Sequence, residues 1–416
     1  MHGFTLLFLF MLLLSLGIQL WLLQRQIRHV AANRKQVPSA FADSISLEAH
    51  QKAADYTLSK ACLGRFETLY AALILLGLTL GGGLNLLDQL WRGTGLDELW
   101  VGVGFILSVF VLTSLLDLPF SLYRTFRIEQ RFGFNRMTAA LFLTDMIKQT
   151  LLLLLLGGPL AALILWLMGS MGTQWWLYVW LVWSGFSLLM LWAYPAIIAP
   201  LFNKFSPLED DSMRQRINAL LQRCGFTSNG IFVMDGSRRS SHGNAYFSGM
   251  GNNKRIVFFD TLLESLSGEE IEAVLAHELG HFRRKHVRKR LILMMVMSLV
   301  GLALLGWLIQ QEWFFAGLGI PQRSTHAALV LFLLVAPVFT FFIQPVMAFF
   351  MRKHEFEADD FAAEHTNAAD LIHALAKLYQ ENASTLTPDP LYSAFHDTHP
   401  PAPVRIGHLS TKIRTT

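Results

Sequence analysis

His277-Glu278-Leu279-Gly280-His281 is the part of this chain best equipped for chemistry, and the chemistry is metal-assisted hydrolysis. Residues four apart on a helix share a face, so His277 and His281 can offer two imidazole nitrogens to one zinc ion. Glu278 lies about 100° round the helix from His277, within reach of a proton on an attacking water. The chain has 14 His, and chance supplies such a five-residue match in roughly one chain in fifty of this kind. The surroundings therefore have to carry the reading.

A zinc site for hydrolysis needs a third protein ligand and an open position. Glu355-Phe356-Glu357-Ala358-Asp359, in the polar tail, offers Glu355 as that ligand. Asp359, four residues on, would share its face and could accept the outer N–H of a zinc histidine. From spacing alone the same residues read equally well as the solvated acidic face of a surface helix. The run from Phe282 to Arg290 is too charged for a bilayer core, so the HExxH helix is expected to end at the membrane interface. His286, inside that run, is expected at the surface with no metal role. His399-Pro400-Pro401 with Arg405 reads alone as a proline-rich turn before a helix, although a cationic or hydrogen-bonding pair would suit the charge that builds on a scissile carbonyl. Asn244-Ala245-Tyr246 reads as an exposed strand just before the catalytic helix, and edge strands bind extended peptides through their backbone.

The elements that must position these residues are mostly apolar. Of 416 residues, 53% are hydrophobic and only 15% charged, with mean hydropathy +0.40, which points to a multi-pass membrane protein. Seven runs are candidates to span: 4–23, 67–90, 99–122, 149–171, 175–201, 291–310 and 327–350. The fourth and fifth form a tight hairpin. The first lacks a basic leader and a small-residue cleavage site, so it reads as a retained helix rather than a signal peptide. Lys and Arg crowd the segments after the first and third runs, among them Arg25, Arg34, Lys60, Arg124, Arg127 and Arg131, which predicts an outside N-terminus and a cytoplasmic C-terminus. The same placement accounts for a pI near 9.1 by span anchoring rather than nucleic-acid binding. Cys62 and Cys224 have no zinc-ligand spacing.

The chain then divides into 1–201 (five spans), 202–290 (a cytoplasmic catalytic insert with the HExxH helix), 291–350 (two spans) and 351–416 (a cytoplasmic tail completing the site). In the insert, a helix near 209–224 precedes strands at 230–235, 244–248 and 255–260, with a turn at Gly251-Asn252-Asn253. Ser267 with Glu270 is a capping box that starts the HExxH helix, with Ile271, Val274, Leu275 and Leu279 as its buried stripe. The tail opens with a helical segment from Arg352 to His365.

Taken together, the motifs resemble the type I CaaX prenyl endopeptidase family. Ile128-Glu129 with Phe132-Gly133-Phe134-Asn135, His242-Gly243-Asn244-Ala245-Tyr246-Phe247, the HExxH, Glu355 to Asp359, Asp389-Pro390-Leu391-Tyr392, His399-Pro400 and Arg405 occur in that family's order. The resemblance implies seven helices enclosing a water-filled chamber capped by a small α+β zinc-protease domain. It implies one Zn2+ held by His277, His281 and Glu355, with Glu278 as general base and Asp359 orienting a ligand. His399 and Arg405 would stabilise the transition state or hold substrate, and Asn244 and Ala245 would contact the substrate backbone. Gly243 departs from the pattern, since Ser is expected there in many relatives. The tail, Lys412-Ile413-Arg414-Thr415-Thr416, shows no ER retrieval signal, which tilts the expected location to a bacterial inner membrane, or the ER membrane in a eukaryote.

The expectation is an integral-membrane zinc endopeptidase, seated in the lipid bilayer, that cleaves peptides or proteins, prenylated or otherwise hydrophobic, near their C-termini at the cytoplasmic membrane face. Quality control of membrane proteins is the alternative within that class. A transporter or lipid-handling protein with a zinc site is a distant rival, because spans two to seven carry few charges beyond Asp117. No nucleic-acid partner is expected, and oligomeric state is open.

Overall fold

A computed structural model describes residues 2–248 and 255–413; the turn expected at Gly251-Asn252-Asn253 and the last three residues of the tail lie outside them. Among the described residues, seven helices are long and apolar enough to cross a membrane. They are α1 (Gly3–Asn33), α2 (Leu47–Leu78), α4 (Glu98–Phe132), α5 (Ala139–Ser170), α6 (Gly172–Phe202), α9 (His286–Leu308) and α10 (Thr325–His365). Between α2 and α4 lies a short amphipathic helix, α3 (Gly83–Arg92). α5 and α6 meet in a tight reversal at Gly172, whose φ is 60°.

Two boundaries differ from the sequence reading for identifiable reasons. The second span was expected to run through residue 90, but Gly81-Gly82-Gly83 breaks it, with Gly82 at φ 79°, so the apolar residues beyond form α3 instead. The helical segment from Arg352 to His365 is not a separate tail element. After a single tight turn at Phe341–Ile343 it continues the seventh span, because Arg352-Lys353 ends the apolar run without breaking the helix.

The spans pack round polar hollows rather than one solid core. A cavity of about 380 Å³ lined by Ser15, Gln19, Thr68, Thr113 and Asp117 adjoins one of about 1070 Å³ that shares Thr113 and Asp117 and reaches Glu129, Asp145 and His242. At the far end a dry cluster including Phe8, Phe105, Leu165, Phe314 and Leu331 seals the bundle. There Asp88 of α3, buried, accepts from His326 of α10 at 2.7 Å and pairs with Arg92 at 2.9 Å.

The insert supplies β1 (Phe205–Pro207), α7 (Asp211–Cys224), β2 (Ile231–Met234), β3 (Ala245–Ser248), β4 (Arg255–Phe259) and α8 (Gly268–Arg283). The sheet order is β1-β2-β4-β3, with β2 and β4 parallel and the other pairs antiparallel. β3 is thus an edge strand. After α10 come α11 (Ala368–Glu381), α12 (Pro390–His396) and α13 (Ala402–Ile413). Ile217, Phe258, Ile271, Leu275, Leu279, Phe361 and Leu371 bury one apolar core between insert and tail. That core holds α8 against α10 and carries the chemistry.

Candidate active site

α8 begins where the sequence places it. Ser267 Oγ accepts from the Glu270 amide and Glu270 Oε2 accepts from the Ser267 amide at 2.7 Å, closing the capping box. Ile271, Leu275 and Leu279 face the core, which turns His277 and His281 the other way, toward α10. The two helices approach very closely at Gly280. A Cβ there would lie 3.0 Å from the Ala358 Cα and 3.1 Å from the Phe361 Cβ. Glycine at this position is what lets one ligand set be drawn from two helices. Gly280→Ala is expected to wedge α8 from α10, costing about 1–3 kcal/mol of stability and loosening metal binding. Thermal unfolding and metal content of the purified variant measure both, and full metal retention would count against this contact as the spacer of the site.

The three expected ligands converge. Nε2 of His277 and Nε2 of His281 lie 3.2 Å apart. Glu355 Oε2 is 3.5 Å from the first and Oε1 is 3.3 Å from the second. The three ligand atoms fall within 4.8 Å of one another. Two features test whether a cation fits. Glu355 Oε2 is buried with no hydrogen-bond donor, and two imidazole lone pairs aimed at one another repel unless positive charge stands between them. Two imidazoles and one carboxylate are the donor set that suits zinc. The residues fit the metal.

Behind the ligands is a buried ion pair. His277 Nδ1 lies 2.9 Å from Asp359 Oδ1, and Arg405 of α13 grips Asp359 with two nitrogens, Nε at 2.9 Å from Oδ2. Asp359 is fully buried and Arg405 only 6% exposed. Burial and the Arg405 charge oppose a proton on His277, but its hydrogen bond to Asp359 and the nearby Glu355 carboxylate outweigh them and raise its pKa to about 9. Burial likewise works against the charge on Arg405, yet Asp359 more than restores it and its pKa is raised. The pocket is arranged to hold positive charge.

Two groups face outward. Glu278 is half-buried, and its side chain is hydrogen-bonded to no described residue. His399 is exposed, with Nε2 3.6 Å from Glu355 Oε1. Its loop is pinned by Arg352, whose guanidinium donates to the carbonyls of Ser393, Ala394 and Asp397. Asp389 caps α12 and pairs with Arg25 of α1 at 2.9 Å, tying the tail to the first span. On the other side, Asn244 is exposed and Ala245 opens β3 against Phe258 of β4. β3 rests on α8 through Phe247 and Phe282, ring centroids 4.4 Å apart.

Several contacts escaped the sequence reading, which names His242 and Glu129 within the motifs but gives them no role. His242 stacks on Phe134 at 4.4 Å and reaches both Glu129 and Asn382. Asn382 also accepts from the Gly243 amide at 3.2 Å and so fixes the turn into β3. Tyr56 donates to Glu129. Nothing local marks these contacts, because the partners are far apart in sequence. One expectation is overturned: His286 is not a surface residue but 4% exposed, its ring 3.0 Å from the His281 ring nitrogen and 2.9 Å from Glu357. The αL conformation of Lys285, φ 59°, folds it back beneath α8, which no periodicity announces.

Comparison with known proteins converges on one family. Residues 26–204 match the family described as CAAX prenyl protease N-terminal, five membrane helices, and residues 207–413 match peptidase family M48. The CAAX prenyl protease 1 homolog of Arabidopsis thaliana is 34% identical, over 91% of this chain and 92% of that protein. The Homo sapiens homolog is 31% identical, over 96% and 94%. The crystal structure of S. mikatae Ste24p superposes with a TM-score of 0.90 at 30% identity, covering 98% of this chain and 99% of that one.

Proposed function

The chain belongs to the M48 CAAX prenyl protease family and is a membrane metalloendopeptidase, and on that premise we propose that it is a zinc enzyme that cleaves lipidated or otherwise hydrophobic peptides near their C-termini at the cytoplasmic membrane face. The observation that carries the chemistry is the convergence of His277, His281 and Glu355 with an uncommitted Glu278 beside them. Zinc held by those three side chains would polarise the scissile carbonyl and acidify the attacking water. Glu278 takes the proton from that water and hands it to the leaving amine. His399, exposed beside Glu355, donates to the oxygen on which charge develops. Arg405 is assigned a different role from His399: its guanidinium is committed to Asp359, so it positions the site rather than touching substrate. The open edge of β3 pairs with an extended peptide, its backbone lying along Asn244 and Ala245.

Support for a hydrophobic substrate comes from a cavity of about 1060 Å³ beside β3, bounded by Leu191, Tyr246, Phe247, Phe282, Arg288 and Leu291. Support for the orientation comes from the basic segments that follow the first and third spans. The test uses purified protein in sealed vesicles and a farnesylated peptide with a quenched fluorophore. Cleavage is expected only with peptide on the cytoplasmic side, is abolished by a zinc chelator and returns with added Zn2+. Cleavage that survives full chelation sinks the zinc assignment, and cleavage from the opposite side alone sinks the orientation.

A further inference from the structure

The two metal-site histidines are held in different ways. Nδ1 of His277 meets a carboxylate directly, whereas Nδ1 of His281 meets Nδ1 of His286 at 3.0 Å. His286 in turn places Nε2 2.9 Å from Glu357 Oε2. Its ring is also stacked face to face on His354, centroids 4.0 Å apart and planes 13° apart, so its angle is set from a second direction. Lys289 stands 4.0 Å from the same Glu357 oxygen. The chain makes this arrangement with one device, the left-handed residue Lys285 between α8 and α9, which returns a ring five residues beyond His281 to lie under it.

The direction of each hydrogen bond follows from what each atom can do. A carboxylate only accepts, so His286 Nε2–H donates to Glu357. The other nitrogen of the neutral His286 ring is then an acceptor, and His281 Nδ1–H donates to it. That leaves His281 Nε2, the atom facing His277 and Glu355, with its lone pair. The opposite direction, His286 donating to His281, would put the proton of a neutral His281 on Nε2 and block it as a ligand. We propose that His286 and Glu357 form a positioning pair that fixes the tautomer and ring angle of His281 for its metal. The pair rests on the reading of His277, His281 and Glu355 as ligands. It also makes the site asymmetric: a hydrogen bond to a neutral imidazole is weaker than one to an ion-paired carboxylate, so His281 is the less strongly polarised of the two ligands.

The test is metal affinity of the purified full chain in detergent, read by chelator competition for Zn2+ and by the visible absorption of the Co2+-substituted protein. His286→Ala and His286→Gln are expected to weaken Zn2+ binding about 10–100-fold and to change the Co2+ spectrum. His286→Asn is expected to recover most of the affinity, since its amide oxygen falls near the Nδ1 position and can accept from His281. Gln instead reaches toward Glu357 and leaves His281 without an acceptor. Glu357→Gln, at a part-exposed position, is expected to weaken binding by about threefold to tenfold. Affinities of the Ala and Gln variants within twofold of the parent overturn the proposal. So does an Asn variant that unfolds at the parent's temperature yet binds as weakly as Ala. Should His286→Ala fail to fold, Glu357→Gln decides, and an unchanged affinity and Co2+ spectrum there overturns it. A parent protein that takes up neither metal refutes instead the ligand reading beneath it.

Discussion

Glu278→Gln is expected to keep its metal, its fold and its affinity for peptide while losing turnover by about 10²–10⁴-fold, the usual contribution of a general base. The substitution is nearly isosteric and removes only the capacity to take a proton. Glu278 is half-buried with no described hydrogen-bond partner, so no buried donor is left stranded and stability should move by less than about 0.5 kcal/mol. It is also absent from the converging ligand set of His277, His281 and Glu355, so metal content should match the parent. The measurement pairs single-turnover cleavage of the farnesylated peptide with metal analysis of the same sample. A variant that binds one metal and still turns over within tenfold of the parent removes Glu278 from the role of base. A variant that is slow because it has lost metal would mean instead that Glu278 supports the ligand set.

What could be read from sequence, and what could not, divides along the range of the interactions involved. The start of α8 was legible because a capping box is local: Ser267 and Glu270 are three residues apart and satisfy one another. The two histidines were legible for the same reason, being one helical turn apart. Glu355 lies 74 residues beyond His281 in the sequence, and spacing could not separate a ligand from a solvated acidic face. What brings Glu355 beside the two histidines is the packing of α8 on α10 at Gly280, a contact between helices that leaves no periodic trace. The same limit hid His286, which sits among six Arg and Lys within four residues on either side and reads as surface until the backbone at Lys285 is known. Apolar runs located the spans but not their ends, because hydropathy stops at a charge while a helix stops at Gly82 or runs on through Arg352.

The Arg405–Asp359 pair carries the second large effect. Arg405→Met leaves the Asp359 carboxylate, fully buried, with the His277 ring nitrogen alone of the contacts described for it. Removing one partner of a buried pair typically costs about 3–5 kcal/mol, because the remaining charge has been taken out of water without compensation. Asp359→Leu should cost as much by stranding Arg405, whose remaining polar neighbours include the His277 ring, 3.3 Å from Nη2, and Glu355, 3.7 Å from Nη1. The double variant Asp359→Leu/Arg405→Met removes both charges and should recover most of the lost stability, as buried pairs replaced by apolar side chains often do. Metal affinity should behave differently. It falls in all three variants, by about 10–100-fold where Asp359 is gone, since His277 then loses the acceptor that sets its tautomer and ring angle. The divergence between the two readouts is the point: thermal midpoint rescued and zinc affinity not rescued would separate what the pair does for the fold from what Asp359 does for His277. Arg405→Lys keeps the charge but not the two-pronged grip on Asp359, and should fall between parent and Met in both. Should the double variant bind zinc as tightly as the parent, Asp359 and Arg405 hold α13 on α10 and nothing more.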